Sequence, residues 1–175
     1  MAGEGDTFGL GDLTYQALVT PNKNSTILWG IGPALVIPTA TDSRLGSGKW
    51  SAGPSLGLAS QPGNWSLAAV AANTWSFAGD SARDSTNQLS LELFFDCNLK
   101  AGWYVGYEPQ LLADWKASSG ERWLVPMGGG VGKVVALGRQ NAVFSAFCYR
   151  NIVRPTGAPG WQFQFGVQFQ FLKQR

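Results

Sequence analysis

Trp161-Gln162-Phe163-Gln164-Phe165-Gly166-Val167-Gln168-Phe169-Gln170-Phe171 is the stretch that decides how this chain is read. Every odd position is apolar and nearly all are aromatic. Every even position is Gln or Gly. Successive side chains of a β-strand point to opposite faces, so a strict period of two makes residues 160–172 a strand with one apolar face and one neutral polar face.

The same alternation runs upstream. Leu13, Tyr15, Ala17 and Val19 share one face, and Trp50, Ala52, Pro54, Leu56 and Leu58 another. Leu89, Leu91, Leu93, Phe95 and Cys97 follow, then Val105, Tyr107, Pro109, Leu111, Ala113 and Trp115. No segment keeps apolar residues at helical spacing. The pattern predicts nine strands, at about 9–20, 26–38, 49–60, 65–77, 86–99, 103–115, 122–137, 141–153 and 160–172. Gly128-Gly129-Gly130 is the expected place for a bulge in the seventh. Aromatic residues at both parities of the eighth leave the facing of Arg150 open, and that of Lys133 is open as well.

The strands are long. Ordinary strands average roughly 5–6 residues. About twelve residues at ~3.3 Å each reach roughly 40 Å, and a tilt near 40° projects that onto about 30 Å, one hydrocarbon thickness. The connections alternate: short at 21–25, 61–64, 100–102 and 138–140, longer at 39–48, 78–85, 116–121 and 154–159. Short turns at one end and longer loops at the other belong to an up-and-down membrane barrel. Trp50, Trp75, Trp115, Trp123 and Trp161 fall near the long loops, and Trp65 and Trp103 follow short turns. Trp29 alone lies deeper. Indole rings favour membrane–water boundaries, so the seven are read as an interface girdle.

Composition agrees. The chain has 175 residues, of which 14% are charged, against roughly 25% in an average soluble domain. It holds 23 Gly and no His, and its net charge is +2. That balance excludes a nucleic-acid partner. The missing His removes Ser-His-Asp and Cys-His catalysis and most zinc sites. Cys97 and Cys148 have no metal spacing and are read as small unpaired hydrophobes. Gly46-Ser47-Gly48-Lys49 lacks the frame of a phosphate-binding loop. The chain therefore reads as a non-enzyme with no metal and no cofactor.

A three-residue turn at 100–102 pairs Leu99 with Trp103. It sets Asp96 against Gly106, Phe94 against Glu108, Glu92 against Gln110 and Gln88 against Asp114. Gln88, Glu92, Asp96, Glu108, Gln110 and Asp114 are the lumen-lining candidates. They read either as a weakly cation-preferring path or as a hydrogen-bonded lining. Asp42, Arg44 and Lys49 are the mouth-loop candidates, on a loop that either gates the mouth or stays solvated.

With nine strands the first and last run the same way, whereas bacterial barrels have an even count. The start, Met1-Ala2-Gly3-Glu4-Gly5-Asp6, has no basic or apolar leader. An N-terminally truncated member of a longer chain is the expectation. Residues 1–8 are then an extension, 9–172 the barrel strands and 173–175 a tail.

Several blocks carry a resemblance. They are Gly9-Leu10-Gly11-Asp12, Trp29-Gly30-Ile31-Gly32-Pro33, Pro38-Thr39-Ala40-Thr41-Asp42, Leu45-Gly46-Ser47-Gly48-Lys49-Trp50, Trp75-Ser76-Phe77-Ala78-Gly79-Asp80, Val125-Pro126-Met127-Gly128-Gly129-Gly130-Val131-Gly132-Lys133 and Val153-Arg154-Pro155. In order and spacing the chain resembles the bacterial MetA-pathway of phenol degradation family, often labelled transporter or neuromedin U, over residues 8–172. The resemblance implies an all-β, up-and-down, antiparallel transmembrane β-barrel of about twelve strands in the outer membrane of a Gram-negative bacterium. It also implies passage of small hydrophobic or aromatic compounds. The partners expected are outer-membrane lipid, small organic molecules and the barrel-assembly machinery, the last through Phe169 and Phe171. The chain ends in Leu172-Lys173-Gln174-Arg175 rather than in Phe. A soluble β-barrel with an apolar ligand inside, and a structural outer-membrane barrel without transport, are the alternatives.

Overall fold

The computed structural model describes residues 8–21, 25–138 and 140–171, with backbone alone at Gln170 and Phe171. Residues 1–7, Leu172 and the tail 173–175 lie outside the described residues, as does the Phe171 side chain expected to serve assembly.

The fold is all-β. Ten strands form one antiparallel sheet. They are β1 (Leu13–Gln16), β2 (Ile27–Ile37), β3 (Lys49–Ser60), β4 (Trp65–Gly79), β5 (Asn87–Asn98), β6 (Trp103–Tyr107), β7 (Gln110–Asp114), β8 (Trp123–Leu137), β9 (Gln140–Val153) and β10 (Trp161–Phe171). Each pairs with its neighbour in sequence, except that β6 and β7 share one place between β5 and β8. The predicted strand 103–115 is thus two segments. Pro109 has no N–H to offer the ladder, and Glu108-Pro109 interrupts it. The register survives, because Leu93 N–H donates to the Pro109 carbonyl at 3.1 Å.

β1 is shorter than the predicted 9–20. Beyond Gln16 its course along β2 continues as a hydrogen bond from Ala17 N–H to the Pro33 carbonyl at 3.2 Å and a bridge from Val19 to Ile31. The glycine run does not host the bulge either. Gly128, Gly129 and Gly130 pair without a shift to Tyr149, Cys148 and Phe147. The register slips between Val125 and Pro126 instead, at the residue that lacks a donor.

The two faces of the sheet are inverted relative to a soluble barrel. On β3, Ser51 and Ser55 are 2% and 4% exposed, whereas Leu56 and Leu58 are 45% and 47% exposed. On β9, Phe147 and Tyr149 are buried while Phe144 and Ile152 are exposed, and Arg150 shares their outward side. Phe163, Phe165, Val167 and Phe169 of β10 are all exposed. Most of the exposed side chains on these strands are thus apolar, while Ser51, Ser55, Phe147 and Tyr149 are buried on the other face.

The arrangement is barrel-like because both ends of the sheet roll over one wall. Thr14 and Gln16 of β1 line a cavity together with Ser90 and Glu92 of β5. Gln164 of β10 lines another with Glu92 and Phe94 of β5. β1 and β10 are the two ends of the strand order, and with nine places in that order they run in the same direction.

Candidate functional site

The enclosed wall is built by the hairpin of β5 with β6 and β7. A single 3-10 turn, Lys100–Gly102, reverses the chain, with Ala101 at φ 57° and Gly102 at φ 77°. Leu99 N–H donates to the Trp103 carbonyl at 2.7 Å. From there Asp96 pairs with Gly106, Glu92 with Gln110 and Gln88 with Asp114. Gln110 Nε2 donates to Ser90 Oγ at 3.1 Å and to Glu92 Oε1 at 3.4 Å.

Three cavities follow β5 in series. The first, about 490 Å³, lies at the long-loop end and is lined by Gln88, Glu92 and Gln110. The second, about 260 Å³, keeps Glu92 and Gln110 and adds Phe94, Glu108 and Gln164. The third, about 440 Å³, keeps Phe94 and Glu108 and adds Asp96 and Asn98 near the short turns. Each shares residues with the next, so a polar track runs along the inward side of β5. Phe94 is its aromatic step. Asp114 sits apart with Gln88, in a cavity of about 360 Å³ beneath the loops, beside Leu112, Leu124, Arg122 and Pro155.

The mouth loop bends inward. Arg44, Leu45, Gly46 and Ser47 line the first cavity. Arg44 Nε lies 3.1 Å from Asp42 Oδ1. The hydrogen bond from Arg44 holds the Asp42 carboxyl below the usual aspartate range and raises the guanidinium. Lys49 opens β3, where its N–H donates to Ser47 Oγ at 3.2 Å. The loop is fixed by residues outside the predicted set. The Asp12 carboxylate accepts from Ser47 N–H at 2.7 Å, Ser47 Oγ at 2.9 Å and Ala40 N–H at 3.2 Å. Arg83 donates to the Ser43 and Gly46 carbonyls at 2.7 and 2.8 Å. The signal for Asp12 lies in the sequence, on the polar parity of Thr14 and Gln16; Arg83, in a loop, carries none.

Beside the track, aromatic rings pack on the inward side, and Tyr104 among them lines the third cavity. Tyr104, Phe147 and Tyr149 form a buried cluster, with the rings of Phe147 and Tyr149 stacked at 5.9 Å. A Cβ at Gly130 or Gly132 would strike the rings of Phe147 or Tyr104. Gly130 and Gly132 of β8 are therefore ring seats. Tyr149 also mends the break between β6 and β7, since its hydroxyl accepts from Glu108 N–H at 3.1 Å. The Tyr107 hydroxyl donates to the Pro126 carbonyl at 2.8 Å. Period-two glycines facing aromatic positions are the signal that could have shown this.

Comparison with known proteins adds one decisive match. The model of a family described as "Putative MetA-pathway of phenol degradation" matches residues 1–171. The chain belongs to this family. Neither the curated proteins nor the solved structures include a match to it.

In this family member the tryptophans stand at the two ends of the outward face. Trp50, Trp75, Trp115 and Trp161 are exposed at the loop end, where Trp115 meets Trp123 edge-to-face at 5.7 Å. The Trp115 indole N–H donates to Asn73 Oδ1 at 2.7 Å. Trp65 and Trp103 are exposed at the turn end, and Lys133 Nζ lies 4.8 Å from the Trp103 ring. Lys133 thus faces outward. Trp29 is the third residue of β2 and also belongs to the turn end, not to the strand interior. Cys97 and Cys148 are free.

Proposed function

We propose that the chain forms an outer-membrane barrel that passes small hydrophobic or aromatic molecules passively, without catalysis, along the track of β5. The observation that carries this reading is the facing: apolar side chains outward, and a polar inner face holding three cavities in series. Lipid is the solvent that such an exterior suits. Glu92, Asp96 and Glu108 line the track. They favour neutral or cationic solutes and repel carboxylated or ionised aromatics. The partners are outer-membrane lipid, small organic molecules and, through the exposed Phe169, the barrel-assembly machinery.

Planar-bilayer recording of the full chain tests the track. The wild type conducts with a preference for cations, and E92Q with E108Q lowers that preference. Absence of any conductance, together with no uptake of a neutral phenol by loaded vesicles, would instead favour a purely structural barrel. The ring cluster of Tyr104, Phe147 and Tyr149 inside the lumen is the observation that supports this second reading.

A further inference from the structure

The outward face of the described strands carries two charges, Lys133 and Arg150, and both are basic. The strand acids lie elsewhere: Glu92, Asp96 and Asp114 all line the enclosed cavities. Each outward base stands directly across from a tryptophan, Lys133 from Trp103 and Arg150 from Trp161. The two pairs sit toward opposite ends of the sheet. Trp103 opens β6 after the 3-10 turn, and Trp161 opens β10 after a long loop.

The pairs differ in one respect. Lys133 Nζ is already placed over the Trp103 ring. Arg150 is exposed and has neither a hydrogen bond nor an ion pair among the described residues. Its other cross-strand neighbour is the exposed Met127. Arg154, four residues on, is engaged with the carbonyl of Ala158. Arg150 is therefore a guanidinium with open donors on an apolar surface, three residues from the loop end of β9. An uncompensated cation there is unfavourable, and it calls for an anion at headgroup level. Guanidinium is suited to phosphate, because its planar fork donates two parallel hydrogen bonds.

We propose that Arg150, beside Trp161, is a docking point for the phosphate of an anionic lipid headgroup in the leaflet on the long-loop side. This rests on the membrane reading above. The indole covers the acyl–headgroup boundary while the arginine stem crosses apolar surface to reach the phosphate.

Full chains of wild type, R150Q and K133Q in phosphatidylcholine vesicles provide the test. A diphosphorylated glycolipid and inorganic phosphate are added separately, and the thermal midpoint is read along with resistance to carbonate extraction. The glycolipid raises the midpoint of wild type and K133Q. R150Q binds it roughly tenfold more weakly, as expected for loss of a charge-assisted contact. Inorganic phosphate does not substitute. An equal response of R150Q and wild type overturns the docking point, and so does a full effect of inorganic phosphate. A wild type that inserts but does not respond to the glycolipid sinks this proposal alone. A wild type that is extracted by carbonate sinks the membrane reading as well.

Discussion

Tyr149 shows how one side chain joins three elements. It is fully buried, stacks on Phe147 and accepts from Glu108 N–H, the amide left over where Pro109 breaks the strand. A buried amide without an acceptor costs about 1–3 kcal/mol. Y149F keeps the ring and removes the acceptor, so it is expected to lower stability by that amount in urea unfolding from detergent micelles. An unchanged midpoint would mean that water or another oxygen serves Glu108. G132A is also expected to lower stability, since its Cβ would displace the Tyr104 ring from its place against β8. Little of this was legible in the chain. Pro109 announces a break, but the hydroxyl that mends it comes from β9, about forty positions away, and pairing register over that distance is not written in local alternation.

Elements were far more legible. Alternation placed the strands, and the three-residue turn fixed the register of Asp96, Glu92 and Gln88, because a one-residue slip would turn every apolar side chain of β5 inward. Loops gave less, since no period constrains them. The 39–48 loop is held by Asp12, whose polar-parity place says nothing about which amides it will meet. The loops at 115–122 and 154–160 are held together by Glu121, which accepts from the Thr156 hydroxyl at 2.7 Å and from its N–H. These hydrogen bonds put the Glu121 carboxyl below the usual glutamate range. A lowered pKa in the folded state means the contribution is complete above the ordinary value and fades as pH falls through the lower one. Acidification is therefore expected to release the clasp, read as faster amide exchange at Thr156 after correction for intrinsic rates. E121Q should show the released state already at neutral pH, through faster nicking of 155–160 by proteinase K. Equal nicking of both proteins would remove Glu121 from that role. Asp42 has the same sign, so its grip on Arg44 at the mouth is lost in the same direction.

At the scale of the whole molecule, the low charge count and the facing are one fact. Alternate residues belong to two surfaces, and the strands keep their acids on the enclosed one. On the membrane reading proposed above, the distance between the two tryptophan belts makes a physical demand on the bilayer. Trp65 and Trp75 lie ten residues apart on β4, and both are exposed on the outward side. At ~3.3 Å per residue that is roughly 33 Å along the strand, or about 25 Å across a membrane for a tilt near 40°. Indole rings held at both boundaries should report this match. Insertion of the full chain is expected to be most complete in phosphatidylcholine bilayers with hydrocarbon about 25 Å thick, and to fall as longer acyl chains thicken them. Tryptophan emission should be quenched more by lipids brominated near the headgroup than by lipids brominated near the chain end. The contrary result would be a stable monomer in plain buffer whose emission ignores both bromine positions. The apolar face would then have to be covered by protein, and the polar track along β5 would lose its claim to be a path through a membrane.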